Sequence, residues 1–120
     1  MNTQEHFEKA RRIVAGLDKL NAADDALAII DGAMIAGYHL GNAMLHLHGV
    51  TEPSVYFNTP SKLTMPLESL PPTVKPAYDA FERLEALRLR YVRNPGVADA
   101  AVVLEAKNTV DAMMGHCGLG

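Results

Sequence analysis

From residue 21 to residue 49 the chain runs without a proline, and its apolar positions recur at helical pitch. Ala26, Ile30, Ala33, Gly37, Leu40, Met44 and Leu47 follow one another at alternating spacings of four and three, the seam of a helix packed in a bundle. The period recurs in three other places. Phe7, Ala10, Val14 and Leu17, joined by Ile13 and Leu20, predict a first helix starting at Asn2 or Thr3, where Asn2 and Glu5 have capping-box spacing. Ala80, Leu84, Leu87 and Tyr91, broadened by Ala77 and Phe81, predict a third helix over residues 73–93, with Pro76 tolerated in its first turn and a stop at Asn94-Pro95-Gly96. Val103, Ala106, Val110 and Met113 predict a fourth over 97–114. Asn21 suits an N-cap for the second helix, with Asp24 and Asp25 in its first turn, so the first two helices form a tight hairpin.

The second connection is different. Pro53, Pro60, Pro66, Pro71 and Pro72 forbid a continuous helix after Gly49, yet Val55, Tyr56, Phe57, Leu63, Met65, Leu67 and Leu70 are too apolar to stay in water. This segment is expected to lie across the bundle or against a second subunit, with a short helical turn over 66–70. The predicted fold is therefore all-α: one domain over residues 1–120, an antiparallel bundle of four helices, five at most, with a long proline-rich loop between helices two and three.

A chain of 120 residues is one domain small enough to gain from a subunit interface, so a homodimer is expected. With 48% hydrophobic residues and a net charge of -3, the chain is neither disordered nor generally basic, and an anionic partner would have to meet a local patch. The lone Cys117 cannot form an internal disulfide, and the opening residues lack the basic and apolar segments of a secretory signal, which together predict a reducing cytoplasm. Asp31, His39, Asn42 and His46 interrupt the most apolar stretch, so no membrane span is expected, and no motif requires a cofactor.

Those four residues lie down one side of helix two, beside Tyr38, and form the first candidate site. Such a row ordinarily marks a solvated face or the rim of an interface; its functional reading is a contact surface for a small molecule or nucleotide. A metal-binding alternative requires His39, His46 and His48 to meet acidic ligands such as Asp31, or another subunit's histidines. His39 and His46 are seven residues apart, about 10 Å along the helix axis, too far to share one ion unaided. Arg83, Arg90 and Arg93, with Arg88, form the second candidate, a stripe on helix three able to meet phosphates, although Glu82 and Glu85 beside it suggest an exposed, salt-bridged face. The sequence has no Gly-rich phosphate loop, His-Glu-x-x-His or nucleophile elbow, and Cys117 beside His116 lacks a third group to orient it.

The helical hairpin containing Ala36-Gly37-Tyr38-His39-Leu40-Gly41-Asn42-Ala43-Met44-Leu45, the proline-rich connection, Leu87-Arg88-Leu89-Arg90-Tyr91 and an Ala-Val-rich last helix together resemble the HEPN (higher eukaryote and prokaryote nucleotide-binding) superfamily. The resemblance covers most of residues 21–114. It implies an antiparallel helical bundle, dimerisation, and a nucleotide, RNA or companion-protein partner. Ribonuclease members carry an Arg followed after four to six residues by His near the start of the last helix. Here Arg88, Arg90 and Arg93 are followed by no histidine before His116, so the resemblance implies a binding or assembly module without nuclease activity.

Overall fold

The computed structural model describes residues 1–63 and 65–119. Four α-helices pack against one another: α1 (Thr3–Leu17), α2 (Ala26–Leu47), α3 (Lys75–Arg88) and α4 (Ala100–His116). A π-helical segment, Leu89–Arg93, prolongs α3, and two single 3₁₀ turns, Pro60–Lys62 and Leu67–Ser69, punctuate the connection between α2 and α3. Among the described residues no helix is long and apolar enough to cross a membrane.

The start of α1 follows from its sequence. The Asn2 side chain accepts from the Glu5 amide at 2.8 Å while the Glu5 carboxylate accepts from the Asn2 amide at 3.0 Å, completing the capping box and satisfying two donors the helix cannot use. Phe7, Ala10, Val14 and Leu17 are buried as their spacing requires. The helix stops at Leu17, however, and Leu20 is left exposed. Asn21 caps a turn rather than α2. Its side chain accepts from the amides of Ala23 and Asp24, and its own amide donates to the Asp25 carboxylate, so residues 21–25 close on themselves before α2 begins at Ala26.

The remaining boundaries also moved inward. α3 starts at Lys75, and the α-helical pitch predicted as far as residue 93 gives way at Leu89. α4 starts at Ala100 because the Asp99 carboxylate accepts from the Val102 amide at 3.0 Å, which leaves Val97 outside the helix.

Helix α2 is the axle of the molecule. Between Ala36 and His46 every residue except Tyr38 is buried, so this helix has no solvated side there. α1, α3 and α4 all pack on it. A helix apolar on most of its circumference belongs inside a bundle, and the small residues of α2 let its neighbours approach closely. A Cβ at Gly37 would lie 2.8 Å from Leu84 Cδ1, and one at Gly41 would lie 2.9 Å from Phe81 Cδ2. The remaining side of α2 is covered by the α2–α3 connection. There Leu70 is buried, Phe57, Leu63, Met65 and Leu67 pack on the core, and the buried Tyr78 hydroxyl donates to the Pro60 carbonyl at 2.5 Å.

Two glycine substitutions should part company. Gly41→Ala drives a methyl into a buried aromatic ring, and the overpacking cost, typically 1–3 kcal/mol, exceeds the gain of about 1 kcal/mol in helix propensity. Gly16→Ala in α1 meets nothing within 4 Å and keeps only the propensity gain. Thermal denaturation should show a lower Tm for the first variant and a higher Tm for the second.

Candidate functional site

The polar row of α2 is buried, contrary to the solvated or interface stripe that its spacing suggested. Asn42 is fully inaccessible, and His39 and His46 are each more than nine-tenths buried. The reason is the proline-rich connection. Asn42 Nδ2 donates to the Phe57 carbonyl at 2.7 Å and to the Tyr38 carbonyl at 2.7 Å, while Asn42 Oδ1 accepts from the Phe57 amide at 2.6 Å. One helix turn later, His46 Nε2 donates to the Val55 carbonyl at 2.6 Å. Residues 51–59 are thus strapped over α2 by side chains that bond their backbone.

Beneath that strap lies a cluster whose third member is on α1. His6 is 1% exposed, and its Nδ1 lies 2.9 Å from His39 Nδ1, so one imidazole donates to the other. The His6 ring centroid is 5.5 Å from that of His46 and 6.0 Å from that of Tyr56. Because His46 Nε2 carries the proton given to Val55, neutral His46 presents a bare Nδ1, which is buried without a partner, as is His6 Nε2. Burial, followed by His39 and His46, pushes the His6 imidazole down to about 4. Burial and then Lys9 lower that of His39.

Tyr38 bridges this cluster to an open cleft. Its ring meets the His39 ring edge-on at 4.6 Å, and burial, then Tyr56, raises its hydroxyl above the ordinary phenol value. On its other side Tyr38 joins Met34, Ile35, Asn58, Thr59 and Arg88 around a cleft of about 190 Å³. The cleft is bounded by α2, the end of the strap, and the last residue of α3 before its π-helical continuation.

Asp31, expected in the same row as His39 and His46, instead pairs with Arg88, its Oδ1 lying 2.6 Å from Nε. The basic stripe is also dispersed. The π-helical segment breaks the α-helical register that would align Arg83 with Arg90 and put Arg93 one turn on. Arg90 lies over the Tyr91 ring, 5.3 Å from its centroid, while Arg83 borders a separate shallow cleft with Asp79, Thr109 and His116. The expected salt-bridged face is absent: the ion pairs formed among the described residues are Arg88–Asp31 and Lys107–Asp18, and neither uses Glu82 or Glu85.

The acidic-ligand metal arrangement is not assembled either. His48 is exposed beyond the end of α2, 3.4 Å from the Thr73 hydroxyl, and Asp31 is engaged by Arg88. Among the described residues, no group of three or more His, Cys, Asp or Glu side chains is placed to hold a metal ion. Burial pushes the Cys117 thiol up to about 12, far from a reactive thiolate.

His6, Arg88, Asn58 and Thr59 were not among the residues selected from sequence. His6 had a readable signal, since it stands four residues before Ala10 on the buried stripe of α1. Nothing local announces Asn58 or Thr59, which reach the cleft because Asn42 and His46 anchor the preceding backbone. Comparison of the chain with protein-family models, with curated proteins and with solved structures gives no match.

Asn42→Ala should remove all three bonds and leave both polar groups of Phe57 unpaired under the strap. With each orphaned group costing about 1–3 kcal/mol, the expected loss is about 2–4 kcal/mol in chemical denaturation, far above that of an ordinary surface change.

Proposed function

We propose that this protein is a non-catalytic, HEPN-like binding module of the cytoplasm, taking a nucleotide or a single nucleotide unit of RNA in the cleft between α2 and the strap. The observation that carries this reading is the convergence of Tyr38, Arg88, Asn58 and Thr59 on one cleft. Together they supply an aromatic surface, a guanidinium, an amide and a hydroxyl, the groups that stack a base and bind a phosphate. Arg88 is held to Asp31 through Nε, so its orientation is set while its two terminal nitrogens remain the natural donors to an incoming oxyanion. The π-helical segment beginning at Leu89 adds weight, since π-turns within helices occur frequently at functional sites. At about 190 Å³ the cleft is smaller than a typical drug-sized site of about 300–1,000 Å³, which favours one nucleotide unit over an extended ligand.

Assembly into a homodimer is supported by a different observation. Leu27, Asp31 and Ile35 are spaced by four along α2, and both Leu27 and Ile35 are exposed beside the Asp31–Arg88 pair, as is Leu89. Apolar side chains flanking an ion pair suit a self-complementary contact between two copies of the chain or with a companion protein.

Calorimetric titration with adenosine monophosphate and with a short oligoribonucleotide tests the cleft. Arg88→Ala should weaken binding about tenfold or more, equivalent to about 1.4 kcal/mol, with Tyr38→Leu also weakening it and Arg90→Ala doing little. Absence of binding to either probe, or affinity reduced by Arg90→Ala and indifferent to Arg88→Ala, would overturn the assignment. Light scattering of the same sample should give twice the chain mass.

A further inference from the structure

The strap is fastened over α2 at a place where the chain has buried three imidazoles, and the two features act on each other. We propose that His6, His39 and His46 form an acid-sensitive latch: protonation of the cluster releases residues 51–59 from α2 while the four helices stay packed, and so removes the Asn58–Thr59 wall of the cleft. The inference is independent of what the cleft binds.

Position makes His6 the sensitive member. It lies under the strap, against the rings of both His46, which bonds the Val55 carbonyl, and Tyr56. The titratable groups around the cluster are Glu5, Lys9 and the amino terminus from the α1 end, Tyr38, His39 and His46 from α2, and Tyr56 from the strap. Phenols are neutral across the acid range, Lys9 and the amino terminus are cationic, and the one carboxylate, Glu5, is exposed and occupied in the capping box. A cation formed within the cluster therefore has neither water nor a dedicated counter-ion while the strap is closed. Opening supplies the water. His6 Nε2 and His46 Nδ1, buried and unpartnered in the closed state, gain hydrogen bonds at the same time.

The fold also limits how far the release spreads. At one end the Val50 amide donates to the Leu45 carbonyl at 2.9 Å, and at the other the Pro60 carbonyl is held by the buried Tyr78 hydroxyl. Neither anchor involves a histidine. The segment between them is the part fastened by Asn42 and His46.

The sign follows from proton uptake. His6 has its imidazole held near 4 in the closed state and returns towards the ordinary 6.5 when the strap lifts, so the open state binds more protons between those values. Closure is complete above about pH 6.5. Below it, each unit of acidification shifts the balance towards opening by up to about tenfold, until about pH 4.

Amide hydrogen exchange on the intact protein, corrected for intrinsic rates, reads this directly. Between pH 7 and 4.5 the protection of the Phe57 amide should fall on the order of 10- to 100-fold, while that of the Val110 amide in α4 holds, and His6→Met should flatten the Phe57 response. Phe57 protection that stays constant, or that falls together with Val110, would overturn the latch. Should His6→Met not fold, ring-nitrogen NMR of the wild-type histidines decides. Protonation of His6 or His39 coinciding with the loss at Phe57 supports the latch, and protonation that leaves Phe57 protected overturns it.

Discussion

The amide of Asn42 bonds both backbone groups of Phe57, and that exchange across the surface of α2 governs more of this molecule than any single apolar contact. A side-chain amide offers one donor edge and one acceptor edge, so it can pair with an extended residue much as a neighbouring strand would. The connection contains too many prolines to satisfy its own backbone in a helix, and α2 provides the missing partners. Once Phe57 is fixed, Val55 falls within reach of His46, Tyr56 covers His6, and Asn58 and Thr59 are delivered to the cleft.

Apolar burial explains the bundle but would accept several placements of its cover. Hydrophobic contacts carry little directional information, whereas a buried amide or imidazole is satisfied in few arrangements and costs free energy in all others. The core formed by Phe81, Leu84 and the glycines of α2 sets how closely the helices approach. The polar residues set which way the strap lies. Two buried imidazole nitrogens left without partners show that the arrangement is not fully satisfied, which is why its weakest point is so localised.

The helices were legible in the sequence because periodicity reports burial, and the capping box at Asn2 and Glu5 was legible because its chemistry is local. Ends governed by competing turns were less so: Asn21 has the identity of a helix cap, but its carboxamide serves residues 23 and 24 instead. The row containing His39, Asn42 and His46 was visible as a row, while its burial depended on a proline-rich segment whose path no local pattern specifies. Asp31 and Arg88 were each visible, but their pairing joins positions 57 residues apart. The stripe of Arg83, Arg90 and Arg93 assumed a constant pitch through a region where the pitch changes, so an extrapolation that was sound within α3 failed beyond Arg88.

That change of pitch bears on how the chain can vary in length. A π-turn holds about one residue more than an α-turn, so loss of a single residue between 89 and 93 would restore ordinary pitch without dismantling the helix before it. The axis would shorten by little, but everything beyond the deletion would swing by roughly 100°. Tyr91 and Val92, which pack on the core, would turn away from it, and the run into α4 would arrive from another direction. A one-residue gap here is therefore a rotation rather than a trimming, and descendants of this chain with a shorter α3 would need a rebuilt 94–99 connection to keep α4 in place.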